Sequence, residues 1–308
     1  MIDYLKMLQK AFSDKKIFFS YLSNLGVLNF LSDKTYLKLM YKVYMGYSLD
    51  LLHPRTFNEK LQWLKIFNRK PIYTQMVDKQ AVKEYVSERI GEEYIIPTLG
   101  VWEHFDEIDF GFLPNQFVLK CTHDSGGVVI CKDKSNLDME KAKRKIENRL
   151  KRNFYWYGRE WPYKDVHPRI IAEKFISDDE NADTELTDYK FFCFNGKVDN
   201  VMVCLDRDSG ATKFYFFSPD WKLMRINKRG KVTPPDFTLP KPECLDEMVF
   251  VAEKLAKGLP FVRIDLYQSN KMVYFGEITF YPDSGFDSNI LQETDLEWGR
   301  MIKLEDLL

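Results

Sequence analysis

The sequence predicts an α+β protein with a mainly antiparallel sheet system. Three observations carry this. Roughly the first ninety residues repeat apolar side chains at helical spacing, and from about Ile95 the pattern changes to short strands. Asn195-Gly196 between two apolar runs is a strong two-residue hairpin signal. Together these fit α+β.

The elements follow in order. Tyr36, Leu39, Met40 and Val43 fall at helical spacing, and His53-Pro54-Arg55 interrupts. Thr56 then reads as an N-cap with Glu59 as its capping-box partner. Leu61, Leu64, Ile66 and Phe67 give that helix its apolar face, and Pro71 ends or follows it. One further helix is predicted from about Ile72 to Ile90, stopped by Gly91. Phe117 to Lys120 is a strand, Thr122 to Gly127 a loop, and Val128 to Cys131 a second strand. A helix is predicted over Asp138 to Phe154, with Ala142, Ile146, Leu150 and Phe154 as its stripe. Its other face is strongly basic, which reads either as solvated surface or as contact with an anionic polymer or lipid surface. Ile170 to Glu173 is a third strand. Tyr189 to Phe194 and Val198 to Leu205 flank the hairpin turn, and Lys213 to Phe217 continues the sheet. Glu243 to Leu259 reads as a helix, Phe261 to Tyr267 with Met272 to Thr279 as a final hairpin, and a short helix follows.

The 308 residues suggest about two domains. Lys+Arg is 45 and Asp+Glu is 46, a balance that argues against a dedicated nucleic-acid binder. Cys121, Cys131, Cys193, Cys204 and Cys244 form no C-x-x-C pair and read as reduced thiols, with a cytoplasmic setting expected. The first ten residues mix charge into their apolar side chains and no small-residue cleavage site follows, so no secretory signal is expected. No run approaches the roughly 18 apolar residues of a membrane span.

Two constellations carry chemistry. Lys120 ends a strand, and Ser125-Gly126-Gly127 leads into the next. Such a loop can cover a phosphate, because glycines let backbone N–H groups approach the anion while the lysine supplies charge. Such a loop between two strands is more often an ordinary β-turn, and it matches no Walker A pattern. The second constellation is Arg263-Ile264-Asp265 with Glu277-Ile278-Thr279. Alternation puts Arg263 and Asp265 on one strand face and Glu277 and Thr279 on one face of the next. Charges buried among apolar neighbours need pairing or a metal, so an internal salt bridge and a magnesium site both stand. An even hairpin loop would put Asp265 and Glu277 on opposite faces. A three-residue loop, Ser269-Asn270-Lys271, would set Arg263 opposite Glu277 with Asp265 diagonal to it, at roughly 7 Å. An odd loop or a bulge is therefore predicted.

The ordered words Pro54-Arg55-Thr56-Phe57-Asn58-Glu59-Lys60-Leu61-Gln62-Trp63, Val77-Asp78-Lys79, Leu119-Lys120-Cys121-Thr122-His123, Asp188-Tyr189-Lys190-Phe191-Phe192, Val262-Arg263-Ile264-Asp265 and Phe275-Gly276-Glu277-Ile278-Thr279-Phe280 span much of the chain. This set resembles the TupA-like ATP-grasp family, associated with teichuronopeptide and other surface-polysaccharide synthesis. The resemblance implies an ATP-grasp fold in which two antiparallel-sheet subdomains clamp ATP. The implied divisions are a helical region 1–94, a small subdomain 95–176 and a large subdomain 177–308. Lys79 and Lys120 resemble the two phosphate lysines, beneath a flap carrying His123, Ser125, Gly126 and Gly127. Glu173, Lys174 and Phe175 resemble the adenine hinge, with Asp178, Asp179 and Glu180 as ribose candidates. Lys190 resembles a lysine that reaches the γ-phosphate or the substrate. Arg263 would neutralise the transferring phosphoryl group. Asp265 and Glu277 would hold Mg2+, with Thr279 standing where many relatives carry Asn and Asp283 close by.

The implied activity is ATP- and Mg2+-dependent joining of an acidic sugar or saccharide carboxylate to an amine. Peripheral contact with membrane-associated polysaccharide machinery is part of that expectation, and nucleic acid is not. Three alternatives remain open: a sugar kinase on the same fold, a glycosyltransferase using Asp206-Arg207-Asp208, and a binding module with an inactive nucleotide site.

Overall fold

The structure, a computed structural model, describes residues 14–177, 186–205 and 212–307. Asp178, Asp179, Glu180 and the Asp206-Arg207-Asp208 word lie outside the described residues.

Two antiparallel sheets dominate. The smaller contains β1 (Thr98–Trp102), β2 (Phe117–Cys121), β3 (Val128–Cys131) and β4 (Ile170–Lys174) in the order β1-β4-β2-β3. The larger contains β5 (Asp188–Phe194), β6 (Lys197–Leu205), β7 (Lys213–Phe217), β8 (Leu223–Met224), β9 (Phe261–Ser269) and β10 (Met272–Thr279) in the order β10-β9-β5-β6-β7-β8. Each sheet has its own core. Phe117, Leu119, Ile170 and Ala172 of the small sheet pack with Ala142 and Ile146 of the Met139–Leu150 helix. Phe191, Val262, Ile264 and Ile278 of the large sheet share a second core with Tyr36, Met40, Phe57 and Leu61 of the N-terminal helices. The helical region thus joins the large sheet and leaves the small sheet with a separate core.

Local signals explain most boundaries. Thr56 caps the Phe57–Phe67 helix, with the reciprocal Glu59 bond of a capping box. Asn195 and Gly196 both have positive φ, the geometry a tight hairpin turn requires. Asp138 caps the Met139–Leu150 helix, which stops before Phe154.

Two expectations change. The helix predicted over Ile72 to Ile90 is two helices, Ile72–Val77 and Val82–Ile90. Asp78 breaks it: its Oδ1 accepts from the N–H groups of Gln80 (2.8 Å) and Ala81 (3.2 Å). A side chain that competes in this way for backbone donors ends a helix. The final hairpin turns on two residues, Asn270 and Lys271, both at positive φ, so the three-residue loop gives way to the other predicted alternative, a bulge. A bulge at Gly276 then restores the odd offset. Phe275 pairs with Leu266 and Glu277 pairs with Asp265. Asp265, and not Arg263, therefore lies directly opposite Glu277, while Arg263 faces Thr279.

No helix among the described residues is long and apolar enough to cross a membrane. None of the five cysteines is in a disulfide.

Candidate active site

The large sheet lays charged residues in one row. Lys190 on β5 pairs with Asp265 on β9, which pairs with Glu277 on β10. Arg263, two residues from Asp265 on the same strand face, closes the group. Its Nε donates to Asp265 Oδ1 at 2.7 Å, and its terminal Nη2 donates to Asp265 Oδ2 at 2.8 Å and to Thr279 Oγ1 at 3.0 Å. Lys190 bonds Asp265 as well, and Asp188 at 2.5 Å. Burial raises the cost of charge on Asp265, but Arg263 and then Lys190 outweigh it and hold the carboxyl below its usual range. The internal ion pair left open by the sequence is thus made between Arg263 and Asp265.

Glu277 makes no hydrogen bond or ion pair with any described residue. It lines a cavity of about 870 Å³ together with Arg263, Thr279, Asp283 and Glu160. Asp124 and Ser125 of the glycine loop lie on the same cavity. Burial lifts the carboxyls of Glu160 and Asp283 above their ordinary values. Asp283 has positive φ in a 3-10 turn, Pro282–Gly285, that follows β10.

The glycine loop is held at both ends. The Cys121 N–H donates to Gly127 O at 2.9 Å, closing it, and Gly126 takes the positive φ of 102° that such a turn needs. Lys79 is tied to the loop twice, by its N–H to Thr122 O (3.0 Å) and by its ammonium to Asp124 O (2.7 Å). The Asp78 turn sets this position, and Arg169 holds Asp78 at 2.9 Å. His123, expected to face phosphate, is buried with Nε2 against the carbonyls of Arg149 (3.2 Å) and Arg152 (2.9 Å). It anchors the loop to the end of the Met139–Leu150 helix and is absent from the cavity wall. Burial lowers its pKa.

Lys120 and Glu173 pair at 2.5 Å on the small sheet, and neither lines the cavity. A second lysine, Lys83, reaches the other oxygen of Glu173 at 2.5 Å. Burial opposes charge on Glu173, but the two ammonium groups prevail and lower its pKa. Lys174 is exposed at the strand end and Phe175 half-buried just after it. Ser177 O accepts from Ser269 Oγ at 2.8 Å, so this segment is fastened to the β9–β10 turn.

The structure therefore gathers Arg263, Glu277, Thr279 and Ser125 on one cavity. Lys79 is tied to it through Asp124, whereas Lys190 and Asp265 lie off the cavity wall, joined to it by the Asp265 bonds to Arg263. Lys83 and Glu160 were not anticipated from the sequence, and Arg149 was read only as part of the basic helix face. For Glu160 a signal existed: Arg159-Glu160 sits among Tyr155, Trp156, Tyr157, Trp161 and Tyr163, and a charged pair in so aromatic a run implies burial. Lys83 and Arg149 carry no such mark.

The donor set suits magnesium. Glu277, Asp265 and Thr279 offer only oxygen, and magnesium takes one or two carboxylates, with phosphate and water completing its shell. Among the described residues no group of three or more His, Cys, Asp or Glu side chains is arranged around a metal. Among the described residues Glu277 has no partner on its oxygens, whereas both oxygens of Asp265 are taken by Arg263 and Lys190.

No curated protein matches the chain. Among solved structures, D-alanine–D-alanine ligase from Bacillus anthracis is 15% identical at a TM-score of 0.42, covering 75% of this chain and 65% of that one. The Helicobacter pylori D-alanine–D-alanine ligase is 15% identical at 0.43, covering 80% and 69%. The ATP-grasp ligase PsnB with a phosphomimetic precursor variant, Mg and ADP is 9% identical at 0.42, covering 80% and 66%. The chain thus spans less than two thirds of the first and last of these structures. The family model described as TupA-like ATPgrasp matches residues 59–303, and the chain belongs to that family and has the ATP-grasp fold.

Proposed function

We propose that this ATP-grasp protein is an ATP- and Mg2+-dependent carboxylate–amine ligase acting on an acidic sugar of a surface polysaccharide, organised as regions 1–94, 95–176 and 177–308. The observation that carries the reading is the cavity shared by Glu277, Arg263 and the glycine loop, with Asp265 and Lys190 paired beside Glu277 on the next two strands. A half-buried arginine, a carboxylate with no hydrogen-bond partner among the described residues and a loop of backbone donors are what phosphoryl transfer between two anions needs.

In this reading a substrate carboxylate oxygen attacks the γ-phosphorus, the bond to the bridging oxygen breaks, and ADP leaves. The amine nitrogen then attacks the acyl carbon, the acyl–phosphate C–O bond breaks, phosphate leaves and the nitrogen loses a proton. Arg263 offsets the meeting negative charges at the cavity wall. Lys79 stiffens the loop and, on exchanging Asp124 O for phosphate, adds positive charge there. Lys120 does the same on exchanging Glu173. Glu277, with Asp265 and Thr279, would hold magnesium, which when bound neutralises phosphate charge. The loop Thr122–Gly127 keeps water from the acyl phosphate.

The test is a panel of acidic sugars and amines with ATP and magnesium, followed by phosphate release and product mass. A condensed amide with ADP and phosphate is expected. A mass gain of one phosphoryl group replaces the reading with a kinase, and absence of ADP formation in a protein that binds ATP removes it.

A further inference from the structure

The cavity extends well beyond Glu277 and the glycine loop. Its far wall comes from Ser23, Asn24 and Asn29 at the end of the Lys15–Asn24 helix, and from Tyr44 of the Asp33–Met45 helix. These four residues precede residue 59, where the family match begins. Trp156 and Tyr157 complete this wall, and Lys151 with Arg152 forms its rim.

The wall has three chemical features. The first is hydrogen bonding: Asn29 Oδ1 is buried without a hydrogen-bond partner among the described residues, a costly state for an acceptor. The second is a set of fixed ring faces. Tyr44 stacks on Phe286 at 5.2 Å, and the Arg159 guanidinium lies 4.4 Å from the Trp156 ring centre. The third is charge. Lys151 and Arg152 are exposed and pair with no carboxylate of the described residues, whereas Arg149 beside them is already 3.4 Å from Asp124. Positive charge therefore stands at two places on the lining, the half-buried Arg263 and the exposed Lys151–Arg152 pair.

We propose that this wall is the subsite for the acid substrate, and that it selects a hydroxylated ring carrying a second anionic group beyond the carboxylate presented to Arg263. Polar side chains meet the hydroxyls, Tyr44 and Trp156 flank the ring, and Lys151 with Arg152 holds the outer charge. An oligomer of a carboxylated sugar has this form. The assignment of the Arg263 end rests on the ligase reading, while the wall and rim stand on their own residues.

Calorimetry on the full chain, saturated with magnesium and a non-hydrolysable ATP analogue, tests it with trigalacturonate, galacturonate and galactose as probes. Trigalacturonate is expected to bind about tenfold tighter than galacturonate, with galactose far weaker. The double variant K151Q/R152Q is expected to lose that roughly tenfold advantage, and salt should erode it in the unsubstituted chain. Both residues are exposed, so folding is not at stake. Asn29→Leu removes a buried unsatisfied acceptor and should raise the melting temperature while weakening all uronate binding. Equal affinity for trimer and monomer, an unaltered double variant, uronate binding unchanged in Asn29→Leu, or no uronate binding overturns the proposal. The nucleotide titration in the same experiment separates the two readings. Analogue binding without uronate binding counts against the subsite alone, whereas absence of analogue binding counts against the ligase reading.

Discussion

Glu173 sits between two ammonium groups, each 2.5 Å from one of its oxygens. Lys120 comes from the neighbouring strand and Lys83 from the Val82–Ile90 helix, which also fastens Lys83 to Ile96 O at 2.7 Å. If Lys120 is to turn toward a phosphate, the buried Glu173 carboxylate must keep a counter-charge, because an unpaired buried charge is costly. Lys83 provides it. Lys83→Met should therefore hold Lys120 on Glu173 and weaken ATP binding by about tenfold, with little change in fold. Nucleotide titration with circular dichroism as the folding control checks this, and unchanged affinity would remove Lys83 from the nucleotide site. At this scale the sequence was informative where a residue lay inside a recognisable word, as Lys79, Lys120, Lys190, Arg263, Asp265 and Glu277 do. Lys83 was not readable because a lysine on a short amphipathic helix resembles any solvated lysine until a tertiary contact gives it a partner.

The hairpin β9–β10 shows what an element adds to its residues. A two-residue turn without a bulge would pair Asp265 with Gly276 and Glu277 with Ile264, sending Glu277 to the opposite face from Asp265. The bulge at Gly276 prevents this, and only glycine fits there. A Cβ on residue 276 would lie 2.7 Å from the Tyr267 ring and 3.0 Å from the Asp265 carbonyl oxygen. Gly276→Ala should cost about 1–3 kcal/mol by overpacking and, by displacing the Asp265–Glu277 pair, should weaken magnesium-dependent nucleotide binding. Urea denaturation and a magnesium titration read the two effects separately, and loss of stability with intact magnesium dependence would show that the bulge is not needed to pair the acids. The need for an odd offset was legible from alternation alone. The choice between an odd loop and a bulge was not, since Asn270-Lys271 lacks the glycine that marks Asn195-Gly196 as a turn. The Asp78 break was likewise hidden, because an apolar pattern continues through it and only the side-chain bonds to Gln80 and Ala81 reveal the interruption.

Across the whole molecule, the Phe57–Phe67 helix binds the N-terminal region to the cavity. Asn58, Gln62 and Lys65 lie on one face at i, i+4 and i+7, and all three are fully buried. Asn58 donates to Asp295 and Asp287, and Gln62 to Ser284 O and Gly285 O. The Lys65 ammonium donates to Gly158 O and Ser284 O, both at 2.7 Å, and so joins two segments of the cavity wall. The capping box made the start of this helix readable, but a polar face that points inward defeats any pattern that equates polar with exposed. Burial pushes the Lys65 pKa down to about 7, against the pull of Glu160 and Asp33. An unfolded lysine titrates near 10.4, so between about pH 7 and 10 the unfolded chain holds a proton that the folded chain has released. The unfolded state binds more protons there, and Lys65 makes stability rise with pH across that window. Lys65→Met removes this slope and leaves the carbonyls of Gly158 and Ser284 and the Gln62 side-chain oxygen without their donor, at a cost of about 1–3 kcal/mol for each buried group left unsatisfied. Urea midpoints at pH 7, 8 and 9 should climb more steeply in the unsubstituted chain than in the variant, since cysteines and other groups titrating in that range are common to both. Parallel slopes would mean that Lys65 keeps an ordinary pKa, and that the cavity wall is held by a permanently charged ammonium.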